Sequence, residues 1–142
     1  MGAAICGGRW NAKGQRVVYA SDSYSCALLE TLAHANIGRV PRGFASIEIE
    51  IPAEITIEEI KSDDLPSWNS SDVSASQTFG SRWYAEMRTP VLVVPSVPSG
   101  GMGRNVVINQ MHPEFKLISV SAPQPVKWYR RLFRRHRTPK RK

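Results

Sequence analysis

The order of apolar and polar positions predicts a chain of short strands broken by a few helices. Residues 45–51 alternate strictly, with Ile47, Ile49 and Ile51 on one face and polar side chains on the other. That period of two is typical of a strand buried on one side. A continuous apolar run at 91–94 instead indicates a central strand that is covered on both faces.

Two helices are predicted among these strands. Asp22 or Ser23 is positioned to cap a helix over residues 24–36, in which three leucines fall on one arc at about 100° per residue. A second helix is expected at residues 80–87. The remaining short strands are expected at residues 16–21, 55–60, 106–108 and 115–120, with a polar loop at 62–76 and a turn at 109–113. This mixed order predicts an α+β fold with a small mixed sheet.

Composition indicates one soluble domain. The 142 residues are 42% hydrophobic and 22% charged, and no run reaches the roughly 18 apolar residues that a membrane span needs. The first residues lack the basic and apolar regions of a secretory signal, so we expect a cytoplasmic protein without a membrane span. Cys6 and Cys26 are expected to be small buried hydrophobes, and no spacing of His and Cys predicts a metal site.

The positive charge belongs to the end of the chain. Residues 1–125 hold 10 basic and 12 acidic residues, a net of −2, whereas residues 126–142 hold 9 basic residues and no acidic one. We therefore expect a domain over 1–125 and a basic amphipathic helix and tail over 126–142. One side of that helix is apolar, through Trp128, Tyr129, Leu132 and Phe133. It is expected to dock on the domain or on a partner, with an acidic protein surface, nucleic acid and an anionic membrane as the alternatives.

Three local patterns have side chains that could carry chemistry. Glu30 and His34 share a helix face turned away from the leucines, which is either a solvated face or one wall of a site. Arg9 follows two glycines. It is either a surface residue of an ordinary turn or a residue that binds a phosphate group through two parallel hydrogen bonds. Ser96 follows the buried run at 91–94, at a strand end where side chains often face a cleft.

Several blocks of the sequence together carry a family resemblance. The first half contains Gly7-Gly8-Arg9-Trp10-Asn11, Val17-Val18-Tyr19-Ala20-Ser21 and Ala27-Leu28-Leu29-Glu30-Thr31-Leu32-Ala33-His34. The second half contains Gly80-Ser81-Arg82-Trp83, Val94-Pro95-Ser96 and Asn105-Val106-Val107-Ile108-Asn109-Gln110-Met111-His112-Pro113. These blocks resemble those of the RES domain and keep their order over about residues 3–120, which is far more specific than any single block.

The resemblance implies the toxin of a bacterial toxin–antitoxin pair, with a fold similar to that of ADP-ribosyltransferase toxins and with NAD as its substrate. The arginine, glutamate and serine of the family name carry over as Arg9, Glu30 and Ser96, which we expect to be catalytic. The expected substrate-binding residues are Tyr19, His34 and Asn109. Glu30 is expected to stabilise the positive charge that develops on the ribose when nicotinamide leaves.

The resemblance favours inorganic phosphate as acceptor, which makes the protein an NAD phosphorylase that needs no cofactor. Water or a protein side chain remain as alternatives, the latter giving a mono-ADP-ribosyltransferase. An Xre-type antitoxin is the implied partner, and a homodimer is expected by family analogy.

The start of the chain departs from the family pattern. Related domains begin with a further strand and an additional arginine ahead of the Gly7–Asn11 block, whereas only six residues precede Gly7 in this sequence. Either the start is misassigned or this is a shortened, weakened member, and an inactive basic nucleic-acid-binding module is then the rival function.

Overall fold

The computed structural model describes residues 7–34 and 40–133, and its regular elements are short. The two α-helices are α1 (Tyr24–His34) and α2 (Ser74–Ala85). The strands, in chain order, are β1 (Val17–Ser21), β2 (Ala45–Ser46), β3 (Ile49–Glu50), β4 (Ile57–Glu59), β5 (Val91–Pro95), β6 (Arg104–Asn109), β7 (Ser119–Val120) and β8 (Gln124–Pro125). The α+β class predicted from the sequence is therefore confirmed.

A four-stranded mixed sheet forms the centre, in the order β1-β6-β5-β4. Strand β6 pairs antiparallel with β1 and with β5, whereas β4 pairs parallel with β5. In β5 the side chains of Val91, Leu92 and Val94 are fully buried, as expected for a strand covered on both faces. The strands predicted at 16–21, 55–60, 91–94 and 106–108 are thus confirmed, with shifts of a few residues at their ends.

Alternate residues of the sheet belong to two different hydrophobic clusters. Leu92, Val94 and Val107 join Trp10 and Trp83 on one face. The neighbouring strand residues Val91 and Ile108 belong to the second cluster, together with Ile55. Partly buried hydrophobic side chains pack against this cluster, among them Val18, Val93, Val106 and Phe115. Because side chains in a strand point to opposite faces in turn, these assignments require a sheet that is buried on both sides.

Helix α1 begins where the sequence predicts. The Ser23 hydroxyl accepts a hydrogen bond from the Cys26 backbone N–H at 3.1 Å, which caps the first turn. The predicted end at residue 36 lies outside the described residues. The buried residue on this helix is Cys26, whereas Leu29 of the leucine arc is 39% exposed. Cys6, which was also expected to be buried, lies outside the described residues.

Helix α2 begins six residues before its predicted start at residue 80. The Asp72 carboxylate accepts a hydrogen bond from the Ser74 N–H at 3.0 Å, an interaction that favours a helix start and also lowers the pKa of Asp72. The predicted loop at 62–76 is therefore wrong for its last three residues. A short 3₁₀ turn at Ser62–Asp64 begins the same segment.

Two other predicted strands are interrupted. Residues 45–51 form two short strands, β2 paired with β8 and β3 paired with β7, with Ile47 48% exposed between them. Their partner segment contains Pro123 and Pro125, which lack the N–H that a continuous ladder needs. The predicted strand at 115–120 is wrong for its first half, because the chain forms a 3₁₀ turn at Pro113–Leu117 before β7.

The C-terminal segment is attached to the domain by main-chain hydrogen bonds. The Val126 N–H donates to the Phe44 carbonyl at 3.1 Å, directly after β8. The Trp128 and Phe133 rings then meet edge to face at 5.9 Å, around a 3₁₀ turn at Arg130–Phe133. The predicted helix is therefore a single 3₁₀ turn as far as residue 133, and residues 134–142 lie outside the described part.

Candidate active site

A cavity of about 760 Å³ opens where the turn before β1, strand β1, helix α1 and the end of β5 meet. Four of the six predicted site residues line it: Arg9, Tyr19, Glu30 and His34. The other lining residues are Gly7, Gly8, Trp10, Ala20, Ser21, Ala27, Thr31, Phe44, Pro95, Val97, Pro98 and Asn105. Its volume is within the range of small-molecule sites, about 300–1,000 Å³.

The Glu30 carboxylate is held by two donors from the sheet. Its Oε1 atom accepts a hydrogen bond from the Ser96 Oγ–H at 2.8 Å and another from the Asn105 Nδ2–H at 2.6 Å. Ser96 is fully buried at the end of β5, and Asn105 lies beside that end on β6. The Ser21 hydroxyl donates in turn to Asn105 Oδ1 at 2.9 Å, which fixes the amide orientation. Glu30 is therefore a preoriented carboxylate on the cavity wall.

Arg9 lies at the tip of a tight turn. The backbones of Gly8 and Asn11 pair with each other, and the Gln77 side-chain amide donates to both of their carbonyls at 3.1 and 3.0 Å. The Arg9 Nη1 group donates to the Trp68 and Ser70 carbonyls at 3.0 and 2.8 Å. The guanidinium is thus oriented by neutral carbonyl groups at the edge of the cavity.

Tyr19 lines the cavity, and its hydroxyl is hydrogen-bonded to the turn that carries Arg9. Its O–H donates to Asn11 Oδ1 at 2.6 Å and accepts from the Trp10 N–H at 3.1 Å. Burial raises the pKa of Tyr19 to about 12, although the Trp10 hydrogen bond and the Arg9 charge act in the opposite direction. A Cβ atom on Gly8 would lie 2.6 Å from this hydroxyl, so the contact requires glycine there. The hydroxyl therefore holds the Arg9 turn in place.

Tyr19→Phe is expected to lower the free energy of unfolding and to make that free energy depend less on pH above pH 10. Because Asn11 is fully buried, loss of the phenol donor should cost about 1–2 kcal/mol at neutral pH. The phenol of a tyrosine in the unfolded chain has a pKa of about 10, whereas that of Tyr19 in the folded protein is about 12. The neutral phenol therefore stabilises the folded protein fully below pH 10, and this contribution is lost as the pH rises to 12. Urea unfolding of the wild type should therefore show a steeper loss of stability from pH 10 to 12 than the variant does.

The matched control for this prediction is Tyr129→Phe, since the Tyr129 side chain is 62% exposed. Its stability should follow the wild type at every pH. Parallel curves for the wild type and Tyr19→Phe would contradict the prediction.

His34 lies at the end of α1 and is exposed. Its Nδ1 atom is 2.8 Å from the Glu30 backbone carbonyl. Because a carbonyl only accepts hydrogen bonds, Nδ1 is the protonated nitrogen in this contact, and Nε2 of the neutral ring is an acceptor. His34 can therefore accept a hydrogen bond from a ligand at the cavity edge.

Asn109 is not brought to the cavity. Its side chain is fully buried, where the amide donates to the Tyr84 carbonyl at 3.4 Å and its Oδ1 accepts from the Met111 N–H at 2.9 Å. Asn105, which sequence reasoning missed, occupies the site instead. Both asparagines lie on the same face of β6, but four residues separate them by about 13 Å along the strand. Asn105 is identified by the strand register, which places it opposite Val94 and close to Ser96 at the end of β5.

The described residues contain no group of three or more His, Cys, Asp and Glu side chains arranged to hold a metal ion. The same part of the chain has no helix that is both long enough and apolar enough to cross a membrane.

Comparison with known proteins identifies the family of this chain. A family profile for the RES domain matches residues 1–129. A protein of Sphingobium sp. named "Prs ADP-ribosylating toxin" is 39% identical over 133 residues, which cover 89% of this chain and 80% of that protein. A "Toxin Res" of Photorhabdus laumondii is 38% identical over 80% of this chain and 73% of its own length. Another from Yersinia enterocolitica is 33% identical, with 88% and 82% covered. The chain belongs to the RES domain family, as the order of its sequence blocks predicts.

Proposed function

We propose that this protein is a toxin enzyme that consumes NAD by breaking its nicotinamide–ribose bond, with inorganic phosphate as acceptor. The observation that carries the proposal is the Glu30 carboxylate, held at the cavity wall by Ser96 and Asn105. When the bond breaks, its electron pair leaves with the nicotinamide nitrogen and positive charge develops on the ribose. A preoriented carboxylate stabilises that charge without reorganising during the reaction.

Arg9 supports phosphate as a reactant. It lines the same cavity as Glu30, and its guanidinium can bind a phosphate through two parallel hydrogen bonds. In the proposed reaction, a phosphate oxygen bonds to the anomeric carbon as the bond to nicotinamide breaks. The products are neutral nicotinamide and an ADP-ribose phosphate, and Arg9 holds either the pyrophosphate of NAD or the incoming phosphate.

The relatives support toxicity. Two of them are named "Toxin Res", and the third is named as an ADP-ribosylating toxin. Since ADP-ribosylation uses the same bond of NAD, the name of the Sphingobium relative supports an NAD-consuming toxin, whereas the other two names support toxicity alone. We also propose that an Xre-type antitoxin restrains the enzyme by covering the cavity. Phe44 in the cavity wall is 46% exposed and Tyr24 on α1 is 53% exposed, which offers such a partner apolar surface.

Purified protein should release nicotinamide from NAD faster in phosphate buffer than in a phosphate-free buffer of equal ionic strength. The co-product in phosphate should be an ADP-ribose phosphate, identified by mass. Release at equal rates in both buffers, with free ADP-ribose as product, would replace the phosphorylase with a hydrolase. Folded protein that releases no nicotinamide in either buffer would contradict the proposal.

Transfer of ADP-ribose to a protein is the second candidate, favoured by the name of the Sphingobium relative. The same Glu30 site serves that reaction, since only the attacking nucleophile differs. NAD labelled in its adenylate half distinguishes the two functions. Label bound to protein after incubation with a cell extract indicates transfer, whereas label confined to a small phosphorylated product indicates phosphorolysis.

A further inference from the structure

We infer that Trp68 is a positioning residue for phosphate recognition, because its indole anchors the two carbonyl groups that orient Arg9. The inference rests on the proposed function, in which Arg9 binds a phosphate group. It concerns the segment at residues 62–73, which lies outside the sequence blocks that indicated the site. Arg9 and Trp68 are 59 residues apart in the chain and meet through a single hydrogen bond.

The indole of Trp68 is fixed in the core. The side chain is 7% exposed and belongs to the cluster that contains Leu92 and Val94. The turn after β5 packs against its ring, since a Cβ atom on Gly101 would lie 3.2 Å from Trp68 Cζ2. The indole thus links the segment to the same region of the sheet that positions Ser96.

The backbone around Trp68 is equally constrained. Its carbonyl accepts hydrogen bonds from both Arg9 Nη1 and the buried Ser76 hydroxyl, the latter at 2.9 Å. Trp68 itself lies within a short turn, in which the Ser70 N–H donates to the Ser67 carbonyl at 3.1 Å. Ser67 has a φ of 68°, a left-handed conformation that costs energy without glycine. These contacts fix the two carbonyls that receive Arg9.

This arrangement orients the guanidinium without neutralising it. A guanidinium has five N–H groups, and the described contacts of Arg9 use only those of Nη1. The edge formed by Nε and Nη2 can then bind two oxygens of one phosphate group. Among the described residues, no carboxylate forms an ion pair with Arg9. Carbonyl partners therefore leave the full positive charge for an anion.

The phosphate group that Arg9 meets belongs either to the pyrophosphate of NAD or to inorganic phosphate. Calorimetric titration of the full chain with ADP-ribose and, separately, with inorganic phosphate distinguishes these sources. Trp68→Phe keeps an aromatic ring but leaves part of the anchor unfilled. For whichever of the two ligands, ADP-ribose or inorganic phosphate, supplies the phosphate group that Arg9 binds, the Kd of the Trp68→Phe variant should be about fivefold higher than that of the wild type. That factor corresponds to one misplaced hydrogen bond, and the Kd for the other ligand should stay unchanged.

Two further variants control for a general loss of structure. Trp128→Phe makes the same substitution at a half-buried tryptophan outside the Arg9 contacts, and its Kd should equal that of the wild type. Ser76→Ala removes only the hydroxyl that holds the Trp68 carbonyl, so a Kd increase of about twofold is expected without a change in the core. Urea unfolding verifies that each titrated variant is folded.

A double-mutant cycle with Arg9→Lys decides whether Trp68 acts through Arg9. Lysine keeps the charge but cannot satisfy both carbonyls and a phosphate in one plane. If Trp68 positions Arg9, adding Trp68→Phe to Arg9→Lys should change Kd by less than about twofold. An unchanged Kd in Trp68→Phe, an equal fivefold increase in both backgrounds, or wild-type protein that binds neither ligand would overturn the inference.

These titrations also separate the inference from the proposed function. Wild-type protein that binds ADP-ribose with the expected dependence on Trp68 but releases no nicotinamide would support the anchor and contradict the phosphorylase.

Discussion

Glu30→Gln is expected to lower kcat for nicotinamide release by about 10²- to 10³-fold, the usual effect of removing one preorganised electrostatic group. Glutamine has nearly the same shape, and its carbonyl oxygen can still accept from the Ser96 hydroxyl and the Asn105 amide. The variant therefore loses the negative charge while the two donors keep a partner. Because the charge stabilises the transition state more than bound NAD, KM should change little.

The control for this variant is Glu54→Gln, which neutralises an exposed carboxylate elsewhere on the surface and should keep wild-type kcat. Ser96→Ala provides a graded comparison, since it keeps the charge and removes one of its two donors. Its kcat should fall about tenfold, the factor that corresponds to the loss of one hydrogen bond. Single-turnover measurements at saturating NAD separate the chemical step from product release. A Glu30→Gln enzyme within tenfold of the wild type would remove Glu30 from the reaction.

The strands of the central sheet and the start of α1 could be predicted because their signals are local. An apolar run such as residues 91–94 and the cap before α1 each depend on neighbours in the chain. Resemblance then supplied the long-range step by placing Arg9, Glu30 and Ser96 in one site. The structure brings Arg9 and Glu30 to one cavity and Ser96 to hydrogen-bonding distance of Glu30. Their catalytic roles stay predictions.

The supporting contacts could not be predicted in this way. The carbonyl at residue 68 that receives Arg9 belongs to a segment that reads as a polar loop, and backbone groups carry no residue-type signal. Tyr19 is predicted to stack on the substrate or to hydrogen-bond to it, and its contact with Asn11 across the turn that the Gln77 amide also binds has no signal in the sequence. Asn105 was missed because strand periodicity gives the face of a residue and leaves its neighbours across the sheet unknown.

Gly80→Ala is expected to destabilise the protein by about 1–3 kcal/mol, although alanine is the better helix former by about 1 kcal/mol. In α2 the Gly80 position faces the backbone of Trp10, and an added Cβ would overlap the Trp10 carbonyl oxygen. A backbone atom of a tight turn cannot move aside as a flexible side chain does. The helix or the turn must therefore shift, and urea unfolding should show the loss as a lower midpoint.

The affinity for substrate should fall together with the stability. Trp10 directly follows Arg9, and the same turn is held by the Tyr19 hydroxyl and the Gln77 amide. A displaced Trp10 carbonyl therefore moves the Arg9 backbone relative to the cavity, and KM for NAD should rise. Thr78→Ala, at an exposed position of the same helix, should change the free energy of unfolding by less than about 0.5 kcal/mol. A Gly80→Ala protein as stable as the wild type would contradict the close contact between Gly80 and the Trp10 backbone.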